Sequence, residues 1–217
     1  MQTRYWRYNK KLALFCHKTE EDTPGAVWYE ESMCQGGGKW QLQTDRLNGH
    51  IESVFLDKKY DPRFGIGVQG DEFVDVLMTD VKAGTSKWPA KDYSYLAKRV
   101  GNFDLERPLE LKAVKFPGKN PDGTLSGYEV YLAMPYQGGK DPVPEFFTRD
   151  KQPKIGFAMD GNNKTWLTQP LFDALEQQVE AFNFANKDKL DQTKGSRGPT
   201  ENEKAHAPNP FLEDCPL

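Results

Sequence analysis

The sequence predicts a mainly β protein, and three observations support this class. Short segments in which apolar and polar residues alternate recur along the chain, as in the run "HIESVFLD" that begins at His50. Turns rich in glycine, proline, aspartate and asparagine separate these segments. Aromatic residues make up 12% of the chain, so a core can form without long aliphatic helices.

The strand pattern is most regular in the middle of the chain. We predict three consecutive strands, over residues 46–57, 64–69 and 72–81. A hairpin around Asn9 and Lys10 is expected before them. The segment "WPAKDYSYLAKRVG" has the spacing of a short helix that ends at Gly101, and two more strands follow it in "RPLELKAVKF" and "YEVYLAM".

Three strands, a helix and two strands follow one another in the oligonucleotide/oligosaccharide-binding (OB) barrel. We therefore predict an OB-like five-stranded barrel with extra N-terminal strands and a helix between its third and fourth strands. The run "QPLFDALEQQVEAFNFA" predicts a C-terminal helix, because Leu171, Leu175 and Phe182 recur at helical spacing. The domain is expected to span 1–185. The polar residues 186–217 are expected to be a disordered tail: a flexible linker and an acidic, hydrophobic tip.

Charge and cysteine usage narrow the functional classes. The net charge is −3, but residues 82–119 contain nine Lys or Arg against four Asp or Glu, so a basic face is expected there. Three scattered cysteines favour a reducing compartment over a disulfide framework. The sequence shows no run of about 20 apolar residues and no signal-peptide core, so we expect a cytoplasmic protein.

A literal G-x-G-x-x-G occurs at Gly65, Gly67 and Gly70. In a dinucleotide-binding fold a helix begins at the third glycine, and its N-terminus faces the pyrophosphate. Here Gly70 is followed by "DEFVDVLMTDV", which has the pattern of a strand with one polar face. We therefore interpret the motif as part of a hairpin.

Metal binding and catalysis are weaker alternatives. The soft ligands that cluster are Cys16, His17, Cys34 and His50. They lack the spacings of known zinc sites, and Cys16 fits a small buried hydrophobic residue. The sequence does not decide whether a zinc ion binds near Cys16 and Cys34. The carboxylates that suit a divalent cation in a metal-dependent nuclease are Asp71, Glu72, Asp75 and Asp80. On a half-exposed strand such residues more often form the solvent face, so we expect no enzyme and no cofactor.

Single-strand binding requires aromatic rings that stack on bases, interleaved with cations that neutralise phosphates. Four runs combine both: "RYWRYNKK", "FLDKKYDPRFG", "KAVKFPGK" and "GYEVYLAMPYQGGK". We favour the run from Lys58 to Phe64, because it flanks a loop outside the expected core stripe. The alternative is that half or more of these aromatic residues fill the core.

The segments "LNGHIESVFLDKKYDPRFGIGVQGDEFVDVLMTD", "YSYLAKRVGNFDLERPLELKAV" and "DGTLSGYEVYLAM", with the tail, resemble the phage-type single-stranded DNA-binding proteins. The resemblance covers residues 46–134 and 195–217. It implies sequence-independent binding of single-stranded DNA in replication, recombination and repair, with no cofactor. The DNA-binding residues that it implies are Phe55, Lys58, Lys59, Tyr60, Arg63, Phe64, Lys112, Lys115 and Phe116.

The tail "NPFLEDCPL" completes the resemblance. It implies contacts with replication or recombination proteins through Phe211, Leu212, Glu213 and Asp214. A phage-encoded protein of this kind acts in the host cytoplasm. The sequence departs from the family in its near-neutral core charge and its thin acidic tip. The first rival function is a protein- or sugar-binding β-barrel module, whose affinity would be indifferent to salt.

Overall fold

The chain is mainly β in the computed structural model, which describes residues 1–30, 38–58, 62–86, 95–119, 122–148, 150–161 and 163–195. The described residues form twelve strands, two α-helices and one 3₁₀ helix. None of these helices is both long and apolar enough to cross a membrane. The predicted class is confirmed.

Four strands form the N-terminal part of the chain: β1 (Gln2–Asn9), β2 (Leu14–Lys18), β3 (Val27–Glu30) and β4 (Gly38–Thr44). β1 and β2 form the predicted hairpin. The side-chain oxygen of Asn9 accepts hydrogen bonds from the backbone N–H groups of Lys11 and Leu12, which fixes the turn.

The next three strands are the ones that the alternation predicts: β5 (Arg46–Asp57), β6 (Arg63–Gln69) and β7 (Phe73–Asp80). They pair in antiparallel order, each to the next. Gly65 and Gly67 lie inside β6, and Gly70 lies in the turn before β7, where its N–H donates to the carbonyl of Phe73. A strand therefore follows the third glycine, and the hairpin interpretation is confirmed.

Gly65 is required by a close approach. Phe55 lies directly opposite it on β5, and a Cβ atom at position 65 would be 2.4 Å from the Phe55 ring. The ring of Phe55 thus rests on the bare backbone of β6. This explains one glycine of the motif by packing alone.

The elements that follow are β8 (Thr85–Ser86), a 3₁₀ helix (Ala97–Asn102), β9 (Leu109–Lys119), β10 (Leu125–Tyr136), β11 (Phe157–Asp160) and β12 (Asn163–Leu167). The helix, β9 and β10 come in the predicted order, whereas β8, β11 and β12 were not predicted. The described part of the predicted short helix is the 3₁₀ segment, and it ends after Gly101 rather than before it. Its expected first residues, 88–94, lie outside the described part of the chain.

Nine strands form one mixed sheet in the order β10-β9-β5-β6-β7-β1-β2-β4-β3. β8, β11 and β12 form a separate three-stranded sheet. The predicted closed five-stranded barrel is wrong for this sheet, whose order has edges at β10 and β3. The cause is β1, which pairs in parallel with β7 and so occupies the edge at which β10 would have to close the barrel.

The large sheet is nevertheless strongly curled. The hydroxyl of Tyr8 on β1 donates a hydrogen bond to the carbonyl of Val114 on β9, at 2.9 Å. The ring centroids of Tyr8 and Tyr131, on β10, are 6.3 Å apart. β1 and β9 are four places apart in the sheet, which is about 19 Å when a sheet is flat. Only curling brings these strands together.

The helix α1 (Gln169–Ala185) has the predicted bounds and completes the core. Its buried side chains are Leu171, Phe172, Leu175, Val179 and Phe182. β5 pairs with β9 only over Arg46–Gly49. Beyond Gly49, the described pairing with β9 does not continue along this side of β5. Asn183 of α1 donates to the carbonyl of Val54 there, at 2.8 Å. The helix thus covers the edge that β9 leaves.

A second helix, α2 (Lys187–Gly195), follows at once. The expectation that the chain is disordered from residue 186 is therefore wrong for this segment. Leu190 is buried, and Lys189 forms an ion pair with Glu106 at 2.6 Å, so tertiary contacts hold a helix that its polar composition does not predict. The predicted tail residues, Phe211, Leu212, Glu213 and Asp214, lie outside the described residues.

Candidate nucleic-acid interface

The first group of predicted residues lies where β5 ends and β6 begins. Phe55 and Arg63 are on the face of the sheet opposite the core, and we call this side the outer face. Phe55, Gly65, Met78 and Arg7 form one cross-strand row on it, because each lies directly opposite the next. The row combines the Phe55 ring, the buried Gly65 backbone on which that ring rests, and a cation.

Arg7 was not among the predicted site residues, although it belongs to the run "RYWRYNKK". Its pKa is lowered first by burial and then by the neighbouring positive charge of Arg63. Asp80, which forms an ion pair with Arg63 at 3.5 Å, acts in the opposite direction. Two guanidinium groups thus share this part of the outer face.

Phe64 does not belong to the interface. It is fully buried in the main core, because it alternates with Arg63 and so points to the other face of β6. Lys58 is half exposed and forms an ion pair with Glu176 of α1. Lys59 and Tyr60 lie outside the described residues.

The second group of predicted residues lies on the β9–β10 hairpin. Lys112 and Phe116 share one face of β9, and Lys115 lies on the other. The ammonium of Lys112 is 4.4 Å from the ring centroid of Tyr136, and that of Lys115 is 5.6 Å from that of Tyr131. Each lysine therefore has an aromatic neighbour, but the three residues do not form a single surface.

Exposed aromatic rings mark this hairpin. Phe116 is 39% exposed, and Tyr128 is 79% exposed. Rings at such positions add nothing to a core and are free to stack on a ligand.

Each described lysine of the predicted set lies next to a carboxylate. Lys112 pairs with Glu110 at 2.9 Å, and Lys115 pairs with Glu129 at 2.6 Å. The hydrogen bond from Lys115 holds the pKa of Glu129 below its ordinary value, and the same bond raises the pKa of Lys115. A phosphate would have to compete with these carboxylates for the cations.

The two groups are well separated. Arg46, at the start of β5, lies opposite Lys112, and Asp57, at its end, lies opposite Arg63. Eleven residue steps along an extended strand correspond to about 35 Å. The predicted residues therefore form two clusters, one at each end of β5.

One member of the predicted acidic cluster, Asp75, is held by structural bonds. Asp75 is buried and accepts hydrogen bonds from both Arg4 (2.7 and 2.8 Å) and the Trp6 indole (2.8 Å). The expectation that Asp75 lies on the solvent face of its strand is wrong. Within the described ranges no group of three His, Cys, Asp or Glu side chains is placed to hold a metal ion.

Cys16 is buried, as expected for a small hydrophobe. His17 points to the opposite face of β2, where its ring nitrogen Nδ1 bonds the carbonyl of Tyr5 at 2.9 Å. Burial lowers the pKa of His17. Cys34 lies outside the described residues. Among the described residues, no second ligand is placed beside Cys16 to hold a zinc ion.

The β11–β12 hairpin carries an aromatic surface that the sequence reasoning missed. Phe157 is 51% exposed and stands opposite Trp166, with 5.6 Å between the ring centroids. The ammonium of Lys164 lies 3.9 Å from both centroids. The one signal in the sequence is the Gly-Asn-Asn run between "FAMD" and "KTWL", which is typical of a hairpin turn but does not show which side chains share a face.

The chain matches no protein-family model, no curated protein and no solved structure. Its fold and surface define it as a mainly β protein with a curled mixed sheet. Aromatic rings lie beside lysines on two of its hairpins.

Proposed function

We propose that this protein binds single-stranded DNA without sequence preference, by stacking bases on exposed rings and neutralising phosphates. The observation that carries the proposal is the β9–β10 hairpin, where the rings of Phe116 and Tyr128 are exposed. Lys112 and Lys115 of the same hairpin lie beside the rings of Tyr136 and Tyr131. Stacking is sequence-tolerant because every base has a π face, and lysines follow the backbone.

The outer face of β5, β6, β7 and β1 extends this proposal. Phe55 and Arg7 lie there half-buried, and Arg63 beside them is buried. In OB folds, oligonucleotides bind at the second and third strands and at the loops after the first and fourth strands. If β5 is the first strand of an OB-like unit, these positions correspond to β6, β7, the β5–β6 loop and the β9–β10 hairpin.

An OB-like origin of the curled sheet is part of the proposal. β4 and β5 are separated by Asp45 alone, so the sheet order from β5 through β6, β7, β1 and β2 leads back to the strand that continues into β5. Roles in replication, recombination and repair, and recruitment of partner proteins through residues 211–214, belong to the same proposal.

A protein- or sugar-binding module is the second candidate. The ion pairs of Lys58, Lys112 and Lys115 with carboxylates favour it, because they reduce the positive charge available to DNA. A module of this kind would bind its ligand with little dependence on salt, whereas DNA binding weakens steeply as salt rises.

The deciding experiment is fluorescence anisotropy of a labelled oligo-dT in EDTA, at increasing salt, with duplex DNA as competitor. We expect binding that weakens with salt and that duplex competes poorly. Phe116→Ala and Tyr128→Ala should each weaken it by about tenfold, within the range known for base stacking. Phe184→Ala is the matched control, since Phe184 is 86% exposed on α1, outside the proposed surface. No binding by the unmodified protein at low salt would refute the proposed function.

A further inference from the structure

One face of the β11–β12 hairpin is aromatic, exposed and positively charged. Phe157 lies opposite Trp166, and Met159 lies opposite Lys164, so all four side chains share that face. Phe157 and Met159 are each more than half exposed. Asp160 alternates with Met159 and therefore points to the other face.

Lys164 differs from the other lysines of the proposed interface. Lys58, Lys112 and Lys115 each contact a carboxylate, whereas no carboxylate of the described residues forms an ion pair with Lys164. Its ammonium lies between two rings instead, which is a weak attraction at an exposed site. The positive charge is therefore available to an incoming anion.

The hairpin is fixed to the body of the protein next to the β5–β6 loop. Thr168, which follows β12, donates its N–H to the carbonyl of Gly84 at 2.8 Å, and β12 pairs with β8. Val81 donates to the carbonyl of Pro62, in the loop between β5 and β6, at 3.0 Å. Val81 and Thr85 are four residues apart, which is at most about 14 Å. The strand that carries Lys164 and Trp166 is thus anchored, through β8, four residues along the chain from the contact between Val81 and Pro62.

We propose that this face is a second binding site for single-stranded nucleic acid, in which a base stacks on Phe157 and Lys164 contacts the adjoining phosphate. The inference rests on the proposed function and adds a site to it. A ring next to an unneutralised ammonium fits a base and its phosphate, whereas a purely apolar partner would leave the ammonium without a counter-charge.

The test compares Phe157→Ala and Lys164→Gln with Phe184→Ala and Lys187→Gln, which remove the same groups from exposed positions on the two α-helices. The readout is oligo-dT anisotropy at several salt concentrations. We expect Phe157→Ala to bind about tenfold more weakly. Lys164→Gln should lower the slope of log affinity against log salt by about 0.7, which is the loss of one phosphate contact. Both controls should bind as the unmodified protein does.

The outcomes separate the two proposals. If Phe116→Ala weakens binding while Phe157→Ala and Lys164→Gln leave affinity and salt slope unchanged, the hairpin site is overturned and the proposed function stands. A change in oligomeric state caused by Phe157→Ala, without a change in DNA affinity, would reassign the face to contact between copies of the chain. If the unmodified protein does not bind oligo-dT, both proposals fail together.

Discussion

The hydroxyl of Tyr8 on β1 lies 2.9 Å from the carbonyl oxygen of Val114 on β9, across a sheet in which these strands are four places apart. This hydrogen bond joins the N-terminal strands to the hairpin that carries half of the proposed interface. Burial is the main cause that raises the pKa of Tyr8 to about 12. The bond can form only in a curled sheet, because β1 and β9 would lie about 19 Å apart if the sheet were flat.

We expect Tyr8→Phe to destabilise the protein by about 1 kcal/mol, because the Val114 carbonyl loses its donor. The sign of the pH effect follows from the raised pKa: the contribution of Tyr8 is complete below pH 10 and is lost as pH rises from 10 to about 12. Urea unfolding across this window measures it. Tyr128→Phe, at an exposed site, is the control, and an equal alkaline loss of stability in Tyr8→Phe and the unmodified protein would contradict the prediction.

Asp75→Asn should destabilise the fold by about 2 kcal/mol, because it removes the charge that Arg4 and the Trp6 indole bond. Thermal or urea unfolding measures this loss. Asp71→Asn, in the exposed turn before β7, should leave stability unchanged. If Asp75→Asn instead kept full stability and abolished a Mg²⁺-dependent cleavage of DNA, the nuclease alternative would return.

Gly65→Ala should cost about 2 kcal/mol, since the new Cβ would lie 2.4 Å from the Phe55 ring and must displace it. Gly70→Ala is the matched control. The nearest heavy atoms to a Cβ there are 3.6 Å away, so the change should be tolerated. Urea midpoints of the two variants give the comparison. Equal stability of both would show that Phe55 does not rest on β6 as described.

Glu129→Gln should tighten binding to oligo-dT by about twofold to fivefold at low salt, because it frees Lys115 for phosphate. The gain should shrink as salt screens the exposed charges. Glu20→Gln removes the same charge from an exposed turn far along the chain and is the control. An equal gain in both variants would mean that only the net charge matters.

Local patterns predicted most of the elements. Alternation located β5, β6 and β7 to within one residue at each end, and the helical spacing of Leu171, Leu175 and Phe182 located α1. These signals are local, since they depend on which side chains one strand or helix buries. For α2, few apolar residues are present, and the burial of Leu190 comes from tertiary contact that no local pattern carries.

The candidate site was harder to predict, because faces and neighbours decide it. Phe64 adjoins Arg63 in the sequence but lies in the core, and Lys115 has a carboxylate partner on another strand. The cation–aromatic face of the β11–β12 hairpin depends on the pairing of two strands whose short runs looked unremarkable. The pairing register between strands decides which of these side chains become neighbours. That register cannot be read from how far apart the residues are in the sequence.

By itself, the sequence determined that the chain is mainly β, where most strands and the long helix lie, and that the glycine motif is not a dinucleotide site. Only the tertiary structure decided that β1 pairs with β7, which leaves the sheet curled with edges at β10 and β3. The physical reason is the range of the interactions. Alternation and helical periodicity act within a few residues, whereas strand pairing joins β1 to a strand about 70 residues away, as in the bond between Arg4 and Asp75.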